Sequence, residues 1–185
     1  MIMKYYVVTY KGLFGFIKPW SAVRDGVTFS QQFLTPSIIE GIEKKLFPEL
    51  LAESGSVKKV LRHKLSYQSM SEQQEQTQTR GFNKGKRDTS ILMRGLLIDP
   101  CLMLAFATRE DAVRASDQHI CLCRNEDILL PLSEIQEMEE DDFATLKGFE
   151  LRFGESENSF LVGYNRFDEN KPMYGWLEFD GISML

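Results

Sequence analysis

The stretch that most constrains this chain runs from Gly12 to Phe47, GLFGFIKPWSAVRDGVTFSQQFLTPSIIEGIEKKLF. It follows Tyr5-Tyr6-Val7-Val8-Thr9-Tyr10, whose aromatic and β-branched residues predict a strand. Gly12 and Gly15 loosen the backbone, Lys18-Pro19-Trp20 opens a basic and polar loop, and Val27-Thr28-Phe29 predicts a second short strand. Thr35-Pro36-Ser37 then starts a helix. Pro36 suits the first turn, where its missing N–H has no intrahelical partner. Alternatively, Ser37 caps the helix and Glu40 closes a capping box. Ile38, Ile39, Ile42 and Leu46 fall on one stripe, and Pro48 ends the helix. Gly41 inside it costs about 1 kcal/mol against alanine, which predicts a close approach to a sheet at that point. The unit is strand, loop, then a helix packed back on the sheet.

With 185 residues and 43% apolar content, the chain can build one ordinary core, so residues 1–185 read as a single domain. No apolar run reaches the roughly 18 residues of a membrane span. The N-terminus reads as a strand and not as a secretion leader. Three cysteines make no disulfide framework, which points to the cytoplasm. Cys121-Leu122-Cys123 is a lone C-x-C that reads as a buried structural pair in preference to a metal site.

The net charge of −5 hides a division. Residues 1–94 carry 15 Lys+Arg against 8 Asp+Glu, a balance of +7, and residues 95–185 carry 7 against 19, a balance of −12. A basic half joined to an acidic one suggests a polyanion-facing surface and another turned away from it; chance clustering on a solvated surface is the alternative. Val57 to Leu65 predicts a strand with Val57, Val60, Leu61 and Leu65 apolar between Lys58, Lys59, Arg62, His63 and Lys64. For His63, RNA contact or plain surface exposure fits better than a general base.

Ser66 to Ser90, SYQSMSEQQEQTQTRGFNKGKRDTS, is polar and nearly without aliphatics, so it predicts a long flexible connection. Arg80, Lys84, Lys86 and Arg87 gather around Phe82 and two glycines. Such a loop suits phosphates and one stacked base; a surface loop with incidental charge suits the composition equally. Beyond it, Ile91–Ile98 and Cys101–Ala107 are mostly apolar runs, the second reading as a central strand buried on both faces. Thr108 begins a short helix, Glu137–Asp142 reads as a solvated helix face, and Phe160–Tyr164 and Met173–Phe179 supply two further strands. The fold class is α+β, with a mainly antiparallel sheet and helices on one face. Phosphate-loop, dinucleotide, nucleophile-elbow and HExxH patterns are all missing, so no catalytic residue, metal ligand or cofactor is assigned.

The order Gly12, Phe16, Lys18-Pro19, Arg24, Thr28-Phe29, Thr35-Pro36-Ser37 and Gly41 resembles the CRISPR-associated RAMP superfamily. Within it, the chain is similar to the subunit that caps the five-prime handle of guide RNA, Cas family five. Lys86-Arg87 followed by Ile91-Leu92-Met93-Arg94 looks like the family's middle, after its variable thumb, and Met173-Tyr174-Gly175-Trp176-Leu177 like its last core strand. The resemblance implies a ferredoxin-like core of the RNA-recognition type, with residues 66–90 as a flexible thumb. It implies a non-catalytic effector subunit of antiviral defence, bound to guide RNA and to neighbouring backbone subunits, with a large subunit or nuclease beyond them. The RNA-binding set is then Lys18, Trp20, Arg24, Ser37, Arg62, His63, Lys64, Arg80, Phe82, Lys84, Lys86 and Arg87. One branch of the family cleaves precursor RNA with a tyrosine, a lysine and a histidine. Here Phe29, Gln31 and Gln32 stand where that tyrosine is expected, and no Lys-His step follows the thumb. Two alternatives stay open: a metal-independent endoribonuclease using a set such as His63 with Lys64 or Lys84, and a protein-interaction module working through the acidic C-terminal half.

Overall fold

A computed structural model describes residues 3–19, 26–52, 57–83, 85–165 and 169–180, with side chains throughout except at 78–83, 86–88, 165 and 180. In chain order the elements are β1 (Lys4–Lys11), β2 (Phe14–Gly15), β3 (Val27–Phe29), α1 (Pro36–Leu46), β4 (Val60–Ser66), β5 (Ser69–Asn83), β6 (Lys86–Ile98), β7 (Cys101–Phe106), α2 (Arg109–Ser116), β8 (Ile120–Cys121), β9 (Ile128–Glu139), α3 (Glu140–Thr145), β10 (Gly148–Phe153), β11 (Phe160–Asn165) and β12 (Lys171–Asp180). The protein is α+β and its strand pairing is almost wholly antiparallel. An eight-stranded sheet runs β11-β12-β10-β4-β7-β1-β9-β8, and a smaller one runs β2-β6-β3 with β5 also paired to β6.

At the centre, β1 pairs with β7 on one side and β9 on the other, and β7 pairs with β4. The apolar β7 is buried on both faces, as its composition predicts. Pro36 takes the first turn of α1, and Thr35 stands at the N-cap without a side-chain capping bond, so the capping box is not formed. Ile39, Ile42 and Leu46 of α1 and Ala112 and Ala115 of α2 pack with Val8, Tyr10, Leu104 and Phe106 on one face of the sheet. The Tyr10 hydroxyl donates to the Ala115 carbonyl at 2.7 Å and ties β1 to α2. Helices do not keep to that face. Phe143 of α3 packs with Tyr5, Val7 and Ala105 on the other one, edge-on to Tyr5.

Several local expectations give way. Gly41 has nothing within 4 Å of where a Cβ would sit, so no sheet approaches it. The buried polar side chain of α1 is Glu43, whose carboxylate accepts the N–H groups of Lys58, Lys59 and Val60 and fixes the entry to β4. Glu137–Asp142 is not one helix face, since Glu137–Glu139 complete β9 and Glu140–Asp142 begin α3. Cys121 is half-buried and Cys123 exposed, so they form no buried pair.

The largest difference lies at Ser66–Ser90, which is a long hairpin and not an unstructured connection. β5 and β6 pair from Ser69↔Ile98 to Asn83↔Lys86, and Gly85 at the turn has φ +79. A polar segment needs no aliphatics of its own when a ladder satisfies its backbone and its partner strand carries the anchor. Leu96 and Leu97 are that anchor, both buried. β3 pairs with β6 only over Met93–Gly95 and β2 only at Leu97 and Ile98. Among the described residues, the span from Lys86 to Leu92 therefore pairs with β5 alone, as a two-stranded arm inserted between β4 and β7.

Candidate nucleic-acid interface

β4 places Arg62, His63 and Lys64 in the middle of the large sheet, and all three are buried, at 5%, 3% and 1% exposure. The apolar Leu61 beside them is 39% exposed. The ladder with β7 has a register shift between Val60 and Arg62, and strands flank β4 on both sides. Buried charge is tolerated only with partners, and these come from remote strands. Arg62 donates to both oxygens of Glu150, each at 2.7 Å, with Glu178 at 3.4 Å and Glu140 at 3.5 Å. Lys64 Nζ donates to the Leu146 carbonyl at 2.7 Å and to that of Ala144, holding the end of α3. His63 stacks on Phe153 with centroids 6.0 Å apart, and its Nε2 has no hydrogen-bond partner among the described residues. Burial, aided by the nearby Arg62 and Arg152 charges, pushes its pKa down to about 3. These three residues are built into the sheet and do not form a surface that RNA can reach.

The large sheet joins the two halves of the sequence. β9 and β10, from the acidic half, pair directly with β1 and β4 from the basic half. The two halves of the sequence are therefore neighbours within the large sheet, while the small sheet draws on residues 14–98 alone.

Of the remaining expected residues, Lys18 is exposed just after the buried pair Phe16 and Ile17. Ile17 N–H donates to Ser30 Oγ, and Gln31 N–H to the Ile17 carbonyl, both at 2.8 Å, which pins this loop to the approach to α1. Ser37 is exposed in the first turn of α1, 3.1 Å from Thr35 Oγ1. Trp20, Arg24 and Lys84 lie outside the described residues. Arg80, Phe82, Lys86 and Arg87 have their backbone in the arm, and their side chains lie outside the described ones.

Two open grooves lie beside the turn that carries Leu13 and Phe14. The larger, about 820 Å³, is walled by Leu13, Phe14, Pro100, Ile128 and Leu130, with Lys11 at its rim. The smaller, about 360 Å³, shares Leu13, Phe14 and Glu126 and adds Gln73, Glu75, Arg94 and Arg124. Leu13 is 79% and Phe14 37% exposed. Under them, the buried Phe16 ring sits against two guanidinium groups, Arg94 at 5.6 Å and Arg124 at 5.3 Å. Arg94 Nε donates to Glu75 at 3.1 Å, and Arg124 holds the Asp127 carboxylate from Nε and an amino group at 2.6–3.2 Å. Sequence reasoning left this cluster out because Arg94 reads as one cation in an apolar strand, and Arg124 lies far along the chain.

Among the described residues no group of three or more His, Cys, Asp or Glu side chains could hold a metal ion, and no helix is long and apolar enough to cross a membrane. No protein-family model matches the chain, and no curated protein matches it.

Proposed function

We propose that the protein is an RNA-binding subunit of the CRISPR-associated RAMP kind, which caps the five-prime handle of guide RNA and anchors the backbone filament of an effector complex. Its partners are then guide RNA and neighbouring RAMP subunits, and its place is the cytoplasm. The observation that carries this reading is the arm β5–β6, inserted between adjacent strands β4 and β7, with Lys86 and Arg87 opening β6 just after the turn at Gly85. A protruding thumb in the middle of the chain is what the resemblance implies. The order β9-β1-β7-β4, with α1 after β1 and α2 after β7, supports the ferredoxin-like core.

The endoribonuclease reading loses its His63 and Lys64 set, because both side chains are buried. The reading as an acidic interaction module is weakened, because β10 and β9 of the acidic half pair with β4 and β1 of the basic half.

The test is binding of a handle-containing guide RNA across a salt series. Every phosphate that is no longer neutralised lowers the slope of log K against log salt by about 0.7 for a single strand. Replacing Lys84, Lys86 and Arg87 together should therefore weaken binding and flatten the slope by roughly 2. A triple variant with wild-type affinity and slope refutes the arm as the RNA contact. Protein that binds no RNA refutes the proposal.

A further inference from the structure

Resting on the RNA reading above, we infer that the smaller groove takes one unpaired guanine base of the bound RNA. Three kinds of group line it side by side. Phe14 offers an exposed ring on which a base can stack. Arg94 and Arg124 offer N–H donors, and Glu75 and Glu126 offer carboxylate acceptors.

Both guanidiniums are held in place before any ligand arrives, because each also packs on the buried Phe16 ring. Their carboxylate partners restrict them further, Glu75 on Arg94 and Asp127 with Glu126 (3.4 Å) on Arg124. Two cations beside Glu75, Glu126 and Asp127 leave a local balance of −1, which opposes a phosphate in this groove. A neutral ligand with separate donor and acceptor edges suits it instead. Guanine has those edges. Its O6 and N7 accept the two N–H groups of one guanidinium, and its N1–H and N2 amine, side by side, match the two oxygens of one carboxylate. Adenine places an N6 amine where the guanidinium needs an acceptor. Pyrimidines offer less surface to Phe14 and one exocyclic donor at most.

The experiment uses the full chain and short uridine oligonucleotides carrying a single substituted base, read by fluorescence anisotropy. One guanosine at the preferred position should tighten binding roughly tenfold over adenosine or cytidine there. Inosine, which lacks the N2 amine, should lose most of that gain. Glu75→Gln and Arg94→Lys should erase the guanosine preference while leaving uridine-oligonucleotide binding in place. Phe14→Ala should weaken guanosine binding without changing its salt slope. Equal affinity for all four bases at every position, with RNA still bound, overturns the groove assignment and leaves the RNA reading standing. A preference for cytidine or adenosine overturns it too. Failure to bind any of these oligonucleotides overturns both.

Discussion

The ion pair between Arg62 and Glu150 gives the sharpest test of the architecture, because it is where the sequence misleads most. The guanidinium and carboxylate are 5% and 1% exposed and make two parallel hydrogen bonds at 2.7 Å. Removing one partner of a buried pair leaves an uncompensated charge and costs about 3–5 kcal/mol. In Glu150→Ala, Arg62 would keep its place over the Phe143 ring and its longer contacts to Glu178 and Glu140, which are 36% and 45% exposed and partly screened by solvent. The expected loss is thus near the lower end, about 3 kcal/mol. For a chain of this size that is a fall in Tm of roughly 6–12 °C. Thermal and urea unfolding followed by circular dichroism would measure it. The double variant Arg62→Met with Glu150→Leu removes both charges, so it should cost far less than the two single changes added together. Once folded, it should bind RNA like the wild type, since neither residue faces a ligand. A Glu150→Ala variant within about 1 kcal/mol of wild type, or additive single costs, would refute the reasoning. So would a well-folded double variant without RNA affinity.

His63 should make stability depend on pH. Its folded pKa, about 3, lies below the unfolded value of 6.5. Below about pH 6.5 the unfolded chain therefore binds a proton that the native one refuses, and stability falls by up to about 1.4 kcal/mol per pH unit. The urea midpoint should drop between pH 6.5 and 5 in the wild type and stay level in His63→Phe, and equal slopes would count against the burial of this ring. Gly41→Ala adds a methyl group to open space on an exposed helix face, so it should stabilise by about 1 kcal/mol; a loss in the same unfolding assay would mean that something does approach α1 there.

Elements whose residues agree with their surroundings were legible in the sequence. β1, α1, the doubly buried β7, α2 with its Thr108 cap and the late strands β11 and β12 all follow local period and composition. β1, α1, β7 and α2 each bury their own apolar residues, so the nearest few residues are enough to predict them, and β11 and β12 show as aromatic and β-branched runs although Phe160, Tyr164, Tyr174 and Phe179 stay exposed. Ser69–Asn83 reads as loop by composition, yet it pairs with β6 because a ladder satisfies backbone groups regardless of side chain. Arg62 and Lys64 read as surface charge, but partners 78 to 116 residues away neutralise Arg62, and carbonyls at the end of α3 hold Lys64. The Phe16 cluster likewise joins Glu75, Arg94 and Arg124 from three separate segments. Local period and composition carry no trace of such partners. Which charges are buried, and which side chains share a groove, was settled only when the strand order β10-β4-β7-β1-β9 brought the acidic and basic halves side by side.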